Sequence, residues 1–294
     1  MPRDFRGYSG RPPEIRWPDA ARVAVSIVIN YEEGAEFTVS GGDPRNESHH
    51  EISEEFVQRP DPCMESHYEY GTRAGYWRIM EVLDGFGARA TLSSCGRAVE
   101  VSPWLAKDAS DRGHEVSAHG YRWESHQGLT EQEERERIAR TVRAIEAATG
   151  KRPVGWHTRS AASENTRRLL VEEGGFLYDS DAYNDDLPYF LDVAGRRHLV
   201  MPYSFDTNDM QFHRTHRYVT GEDFATYVND AYDWLWREGK AGPRMLSIGL
   251  HLRIIGRPGR IAALEAVLNH IAKRGGAWIA RRDEIARYWI ERSG

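Results

Sequence analysis

The segment Arg22–Asn30 (RVAVSIVIN) is almost continuously apolar and β-branched, the composition of a strand buried on both faces in a parallel sheet. Charge returns at Tyr31-Glu32-Glu33-Gly34, where such a strand should emerge. Shorter runs predict further strands at Ala88–Ser94, Glu115–Ala118, Pro153–Trp156, Leu199–Tyr203, Met245–Leu250 and Ala277–Ala280. Helical spacing predicts Tyr70–Phe86, with Trp77, Met80, Leu83 and Asp84 near its core-facing end. Thr130–Gly150 carries the clearest helix signals: a Thr130/Glu133 capping box, a stripe of Ile138, Val142 and Ile145, and a stop at Gly150. Glu164–Glu173, Thr220–Glu238, Arg260–Lys273 and Asp283–Arg292 complete the helices. Phe224, Tyr227, Val228, Ala231 and Leu235 give Thr220–Glu238 its apolar face. Residues 34–66 have weak periodicity and several Gly and Pro, and read as a long insertion loop. Residues 1–21, rich in Pro, Arg and Gly, read as an N-terminal arm that wraps the domain or touches a partner subunit.

Strands and helices alternate, and no linker or internal repeat divides the chain. That pattern predicts an α/β fold with a single barrel-like domain over residues 22–294, its chemistry gathered where the strands end. The 294 residues carry a formal charge of −6 and no local cluster of Lys and Arg, so a nucleic-acid partner is not expected. No apolar run reaches the length of a membrane span, and the first residues lack the apolar core of a signal peptide. With two cysteines, a cytoplasmic protein without a disulfide framework is the expectation. The Pro-rich arm and nine tryptophans suggest a homo-oligomer, a dimer or a tetramer.

Polar clusters follow five predicted strands: Tyr31-Glu32-Glu33, His119-Gly120-Tyr121-Arg122-Trp123, Trp156-His157-Thr158-Arg159, Asp206-Thr207-Asn208-Asp209 and His251-Leu252-Arg253. Their shared position says more than any one of them. A carboxylate at Glu32 or Glu33 can act as general base, and its neighbour can orient the water or hold a metal; a solvated acidic turn is the plain alternative. His119 suits a metal ligand, a general acid or an oxyanion donor, and equally a buried histidine bonded to backbone. The same holds for His126 and His157. His251 ends a buried strand, needs a polar partner, and suits a general acid for a leaving nitrogen. Arg253 and Arg257 could bind an anionic group. The Asp179–Tyr189 loop lacks EF-hand spacing, and serine-hydrolase, Walker and dinucleotide patterns are absent.

The strings Asn30-Tyr31-Glu32-Glu33-Gly34, Tyr68-Glu69-Tyr70-Gly71, His119-Gly120-Tyr121-Arg122-Trp123, Asp206-Thr207-Asn208-Asp209-Met210 and Leu250-His251 with Ile255-Gly256-Arg257-Pro258 resemble the polysaccharide-deacetylase superfamily. Within it they resemble the allantoinase-like branch that needs no metal. The resemblance covers nearly the whole chain and implies a distorted (β/α) barrel with fewer than eight full units. It implies hydrolysis of a C–N bond in a small cyclic amide, allantoin or a related ureide or imide. The catalytic residues implied are Glu32, Glu33, His119 and His251; Tyr31, Trp123, His157, Arg159, Asp209 and Arg253 would line the substrate. Metal-dependent relatives carry a second histidine four residues after the first, where this chain has Trp123, which cannot ligate zinc. The resemblance therefore implies that no cofactor is required, or that a divalent metal such as zinc sits in a site rebuilt from Glu33, His119 and His126. His126 and His157 stand where the branch usually has tyrosine, which leaves the ring unspecified. A metal-dependent carbohydrate N-deacetylase and a non-catalytic ligand-binding barrel are the rival readings.

Overall fold

The computed structural model describes residues 3–48, 56–214 and 217–293. Strand β1 (Val23–Tyr31) is buried along its whole length and organises a nine-stranded sheet. On one side it pairs in parallel with β8 (Arg244–His251). On the other, its first residues meet β9 (Ala277–Ile279) and its last meet β2 (Thr91–Ser94). The sheet continues through parallel β3 (Glu115–Ala118), β4 (Gly155–Trp156), β5 (Tyr178–Asp179) and β7 (Arg196–Val200), and ends on antiparallel β6 (Tyr189–Val193). From β7 the chain crosses back to β8. Met201 N–H donates to Asp179 O (2.8 Å), Gly249 N–H donates to Thr207 O (2.9 Å), and Asn208 bridges to Gly249. This crossing draws the curled sheet toward closure, giving an α/β fold of the distorted (β/α) barrel type.

Strand alternation sorts the interior from the helix-facing layer. Val23, Val25, Ile27, Ile29 and Tyr31 join Leu92, Val116, Ala118, Ile248 and Leu250 in the core beneath the helices. The opposite face carries Ser26, Asn30, Thr91, Ser93, Glu115, Ser117 and Ser247, all buried. The barrel is thus filled largely by small polar side chains, and each must find a hydrogen-bond partner inside. The helices around it are α1 (Pro62–Tyr70), α2 (Tyr76–Gly85), α3 (Gly96–Val101), α4 (Pro103–Asp111), α5 (Glu131–Thr149), α6 (Thr166–Glu173), α7 (Gly221–Glu238), α8 (Pro258–Arg274) and α9 (Arg282–Ser293). The Thr130 and Glu133 capping box and the Gly150 stop of α5 stand as read. Ile15 and Trp17 of the N-terminal segment pack into a second core with Leu199, Ile285 and Trp289. Among the described residues, no helix is long and apolar enough to cross a membrane.

Several local expectations are corrected. The insertion ends earlier than residue 66, because Asp61 caps α1 and Pro62 starts it; residues 49–55 of that loop lie outside the described residues. The predicted helix at Tyr70 is the continuation of α1 through a π-turn, Gly71–Gly75, into α2. Met80 and Leu83 face the core, but Trp77 is 45% exposed and stacks on Trp104. Helices α3 and α4 were not expected, since Arg97, Glu100, Lys107 and Asp108 break up the apolar spacing of their short span. The strand placed at Leu199–Tyr203 is instead the second arm of the β6–β7 hairpin, turned at Ala194 and Gly195, both at positive φ.

Candidate active site

The register carries three candidate residues to one end of the barrel. Tyr31 pairs with Ser94 and Ser94 with Ala118, so Glu32 and His119 leave their strands at the same level. His251 pairs with Asn30 on the other side of β1. Glu32 is 1% exposed and stands at the centre: Oε1 lies 3.2 Å from His119 Nε2 and 3.5 Å from His251 Nε2, and Oε2 lies 2.8 Å from Arg253 Nη2. Burial alone would raise its pKa. The charges of Arg253 and His251 and the bonds from both imidazoles outweigh that and hold Glu32 well below the usual carboxylate range. These contacts favour the carboxylate form of Glu32.

Glu33 is buried beside it and is pushed in the opposite direction. One oxygen lies 3.3 Å from Arg253 Nη1 and the other accepts the backbone N–H of Glu32 (3.1 Å). Burial raises its pKa, Arg253 offsets this only in part, and Glu32 adds repulsion. Glu36 follows the same logic and burial pushes it up to about 7, its carboxylate accepting Gly34 N–H (2.6 Å). The π-turn makes room for this arrangement. A Cβ on Gly71 would lie 2.4 Å from Glu33 Oε1, so only glycine lets the helix approach the carboxylate this closely.

His251 is oriented from behind. Its Nδ1–H donates to Asp209 Oδ1 (2.6 Å), and Asp209 Oδ2 accepts the backbone N–H groups of His251 (2.7 Å) and Ile255 (3.0 Å). Burial works against the imidazolium, but Glu32 and Asp209 win and push His251 up to about 9. His119 Nδ1–H donates to the His157 carbonyl (2.7 Å), which aims Nε2 at Glu32. The His157 ring stacks on His119 at 4.9 Å and its Nε2 meets Tyr183 OH (3.2 Å); burial first, then His119, drives its pKa well below the usual value. Arg253 lies over Tyr68 (4.5 Å) and Trp123 (5.6 Å), and Arg159 covers Trp123 at 3.5 Å.

Glu32, Glu33, His119, His251, Arg253, Asp209, His157 and Trp123 thus come together, but not all with the expected tasks. Asp209, expected on the substrate, spends both oxygens on His251 and the following turn. Arg253, expected on a substrate anion, clamps the two glutamates. Arg159 packs on Trp123 and donates to its carbonyl oxygen (3.3 Å). Tyr31 is on the other face of β1, where its OH donates to Ala98 O (2.8 Å), so it is not part of the site. The reason is the two-residue period that puts Glu32 inward. His126 is also elsewhere: it is fully buried, with Nδ1 2.9 Å from Glu134 Oε1, and Glu134 also holds Ser163 (2.6 Å) and Thr166. Tyr68 went unsingled in the sequence reading. Its buried OH has no partner, and only its place in Tyr68-Glu69-Tyr70-Gly71 hinted at it.

The rebuilt metal site from Glu33, His119 and His126 does not form. His126 is turned onto Glu134, and the guanidinium of Arg253 fills the space a cation would need between Glu32 and Glu33. Among the described residues, no group of three His, Cys, Asp or Glu side chains is arranged to hold a metal. The donor set does not fit zinc.

Comparison with known proteins agrees with this architecture. The sequence profile of the polysaccharide deacetylases matches residues 57–178. A Schizosaccharomyces pombe protein assigned to the polysaccharide deacetylases is 36% identical, with 98% of this chain and 96% of that protein covered. A solved Pseudomonas aeruginosa PAO1 structure with the same assignment has 44% identity and a TM-score of 0.94, covering 99% of this chain and 98% of the other. A solved PuuE allantoinase has 43% identity and the same TM-score of 0.94, with coverage of 99% and 98%. The chain belongs to the polysaccharide deacetylase family.

Proposed function

We propose that the protein is a hydrolase that opens a small cyclic amide, a ureide or cyclic imide ring, by adding water across a C–N bond. The observation that carries this reading is Glu32 held as an anion between two histidines and an arginine, opposite a protonated His251 backed by Asp209. Glu32 takes a proton from water as the water oxygen attacks the ring carbonyl. The carbonyl electrons move onto oxygen, and the buried, unpartnered donors Tyr68 OH and Arg253 Nε–H suit that oxyanion. Burial keeps the Tyr68 hydroxyl protonated. When the oxyanion collapses, the C–N bond breaks and His251 gives its proton to the departing nitrogen. His119 and Glu33 position Glu32 from either side. General acid–base catalysis of this kind contributes ~10²–10⁴-fold.

Two further points support the reading. The 43% identity to a PuuE allantoinase spans nearly the full length of both chains. Glu32, His119, His251 and Arg253 are each at most 3% exposed, which suits a small enclosed ligand better than a polymer lying in a groove. A turnover screen across ureides, cyclic imides and acetylated sugar oligomers, with and without zinc, tests it. Ring opening without added metal is expected. Acetate release from sugar oligomers, abolished by a chelator, would assign the protein to carbohydrate deacetylation instead.

A further inference from the structure

The barrel interior holds a cation that ring opening does not use. Arg282, the first residue of α9, is 2% exposed. Its Nη1 donates to Ser247 Oγ (3.1 Å) and Ser26 Oγ (3.3 Å), and its Nη2 to Met201 O (2.6 Å) and Pro202 O (3.0 Å). None of these partners carries a charge, and Nε–H has no partner. Glu115 lies behind Tyr178, whose OH donates to its Oε1 (3.0 Å). Glu115 and Asp179 attract the guanidinium without bonding it, and a buried charge with no directly bonded counter-ion is unfavourable.

Arg282 forms one wall of a cavity of about 10 Å³, room for a single body the size of a water molecule. Ser93, Ser117, Ser180 and His157 line it as well. The hydroxyls of Ser93 and Ser180 and the Nδ1 of His157 are buried without partners, like Arg282 Nε. Each of these groups can donate a hydrogen bond, and no carboxylate lines the cavity. Water could satisfy the hydroxyls but would set no negative charge beside the guanidinium. A small acceptor that is itself negative satisfies both.

We propose that this cavity binds one monatomic anion, chloride in ordinary buffers, held by Arg282 Nε–H and the hydroxyls of Ser93 and Ser180. The ion is structural. It sits beneath His157, and so beneath the ring that backs His119, and neutralises the barrel interior. The inference stands on these donors alone and does not depend on which ring the protein opens.

The test is crystallisation of the full chain with bromide in place of chloride, with data collected at the bromine edge. An anomalous peak within hydrogen-bond reach of Arg282 Nε, Ser93 Oγ and Ser180 Oγ is expected. In solution, Tm should rise with chloride at constant ionic strength, gluconate being the replacement anion. The double variant Ser93→Ala/Ser180→Ala should lose that dependence; if it does not fold, the bromide data on the unaltered protein decide. An ordered water without anomalous signal would overturn the proposal, and so would a Tm that is equal in chloride and gluconate.

Discussion

Two of the buried histidine–carboxylate pairs among the described residues do different things. His251 bonds Asp209 at 2.6 Å, and His126 bonds Glu134 at 2.9 Å. Each imidazole is held through Nδ1 and each is out of solvent. The difference lies at the other nitrogen. His251 Nε2 faces Glu32 at 3.5 Å, whereas His126 Nε2 has no partner and lies against Gly120. The carboxylates also differ. Asp209 serves the imidazole and the turn after it, whereas Glu134 also ties the start of α6 to α5 through Ser163 and Thr166. A carboxylate that orients a histidine therefore marks a site only when the free nitrogen faces another reacting group.

The largest effect expected from this contrast is on His251→Ala, which removes the proton donor. Its kcat for ring opening should fall by ~10²–10⁴-fold while the fold persists, as read by steady-state kinetics and circular dichroism. Next comes Gly71→Ala, which pushes a methyl group into Glu33 and shifts the pair of glutamates. A displacement near 1 Å should cost about 10²-fold in kcat, and recovery of Glu33 in its original position in a crystal structure would argue against this route.

The pH response separates the two pairs further. His251 is raised to about 9, above its usual value near 6.5. Its contribution to stability is therefore complete below about pH 6.5 and disappears as pH rises through about 9. The kcat/KM of ring opening should fall over that same upper limb, and His251→Ala should abolish the limb. The smallest effect on catalysis is expected from His126→Ala. It should change kcat less than tenfold but lower stability by about 1–3 kcal/mol in urea unfolding, since Glu134 loses a buried partner. A loss of activity as large as that of His251→Ala would erase the distinction between the pairs.

Much of this was legible from the sequence. The apolar run of β1 and the polar residues at the ends of β1, β3 and β8 put Glu32, His119 and His251 at one end of the barrel, because parallel strands end on the same side of their sheet. Tyr31 could also have been read correctly, since a two-residue period sends it away from Glu32. The partner of each histidine was not legible. Nothing near His251 points to Asp209, forty-two residues earlier, and nothing near His126 marks Glu134 as anything but a helix surface residue. Those pairings depend on loops that cross the end of the barrel. The polar interior was half visible: Ser26, Asn30, Ser93, Ser117 and Ser247 alternate with apolar residues, yet their meaning appears only when Arg282 enters from α9.

The central claim is that Glu32 drives a water molecule onto a ring carbonyl. It is tested most directly by turnover of the cleaved ring in ¹⁸O-labelled water by the unaltered protein and by Glu32→Gln, followed by mass spectrometry. The account predicts one labelled oxygen in the ring-opened product and a loss of ~10²-fold or more in the variant. Full turnover by Glu32→Gln, or no ring opened by the unaltered protein, would contradict it.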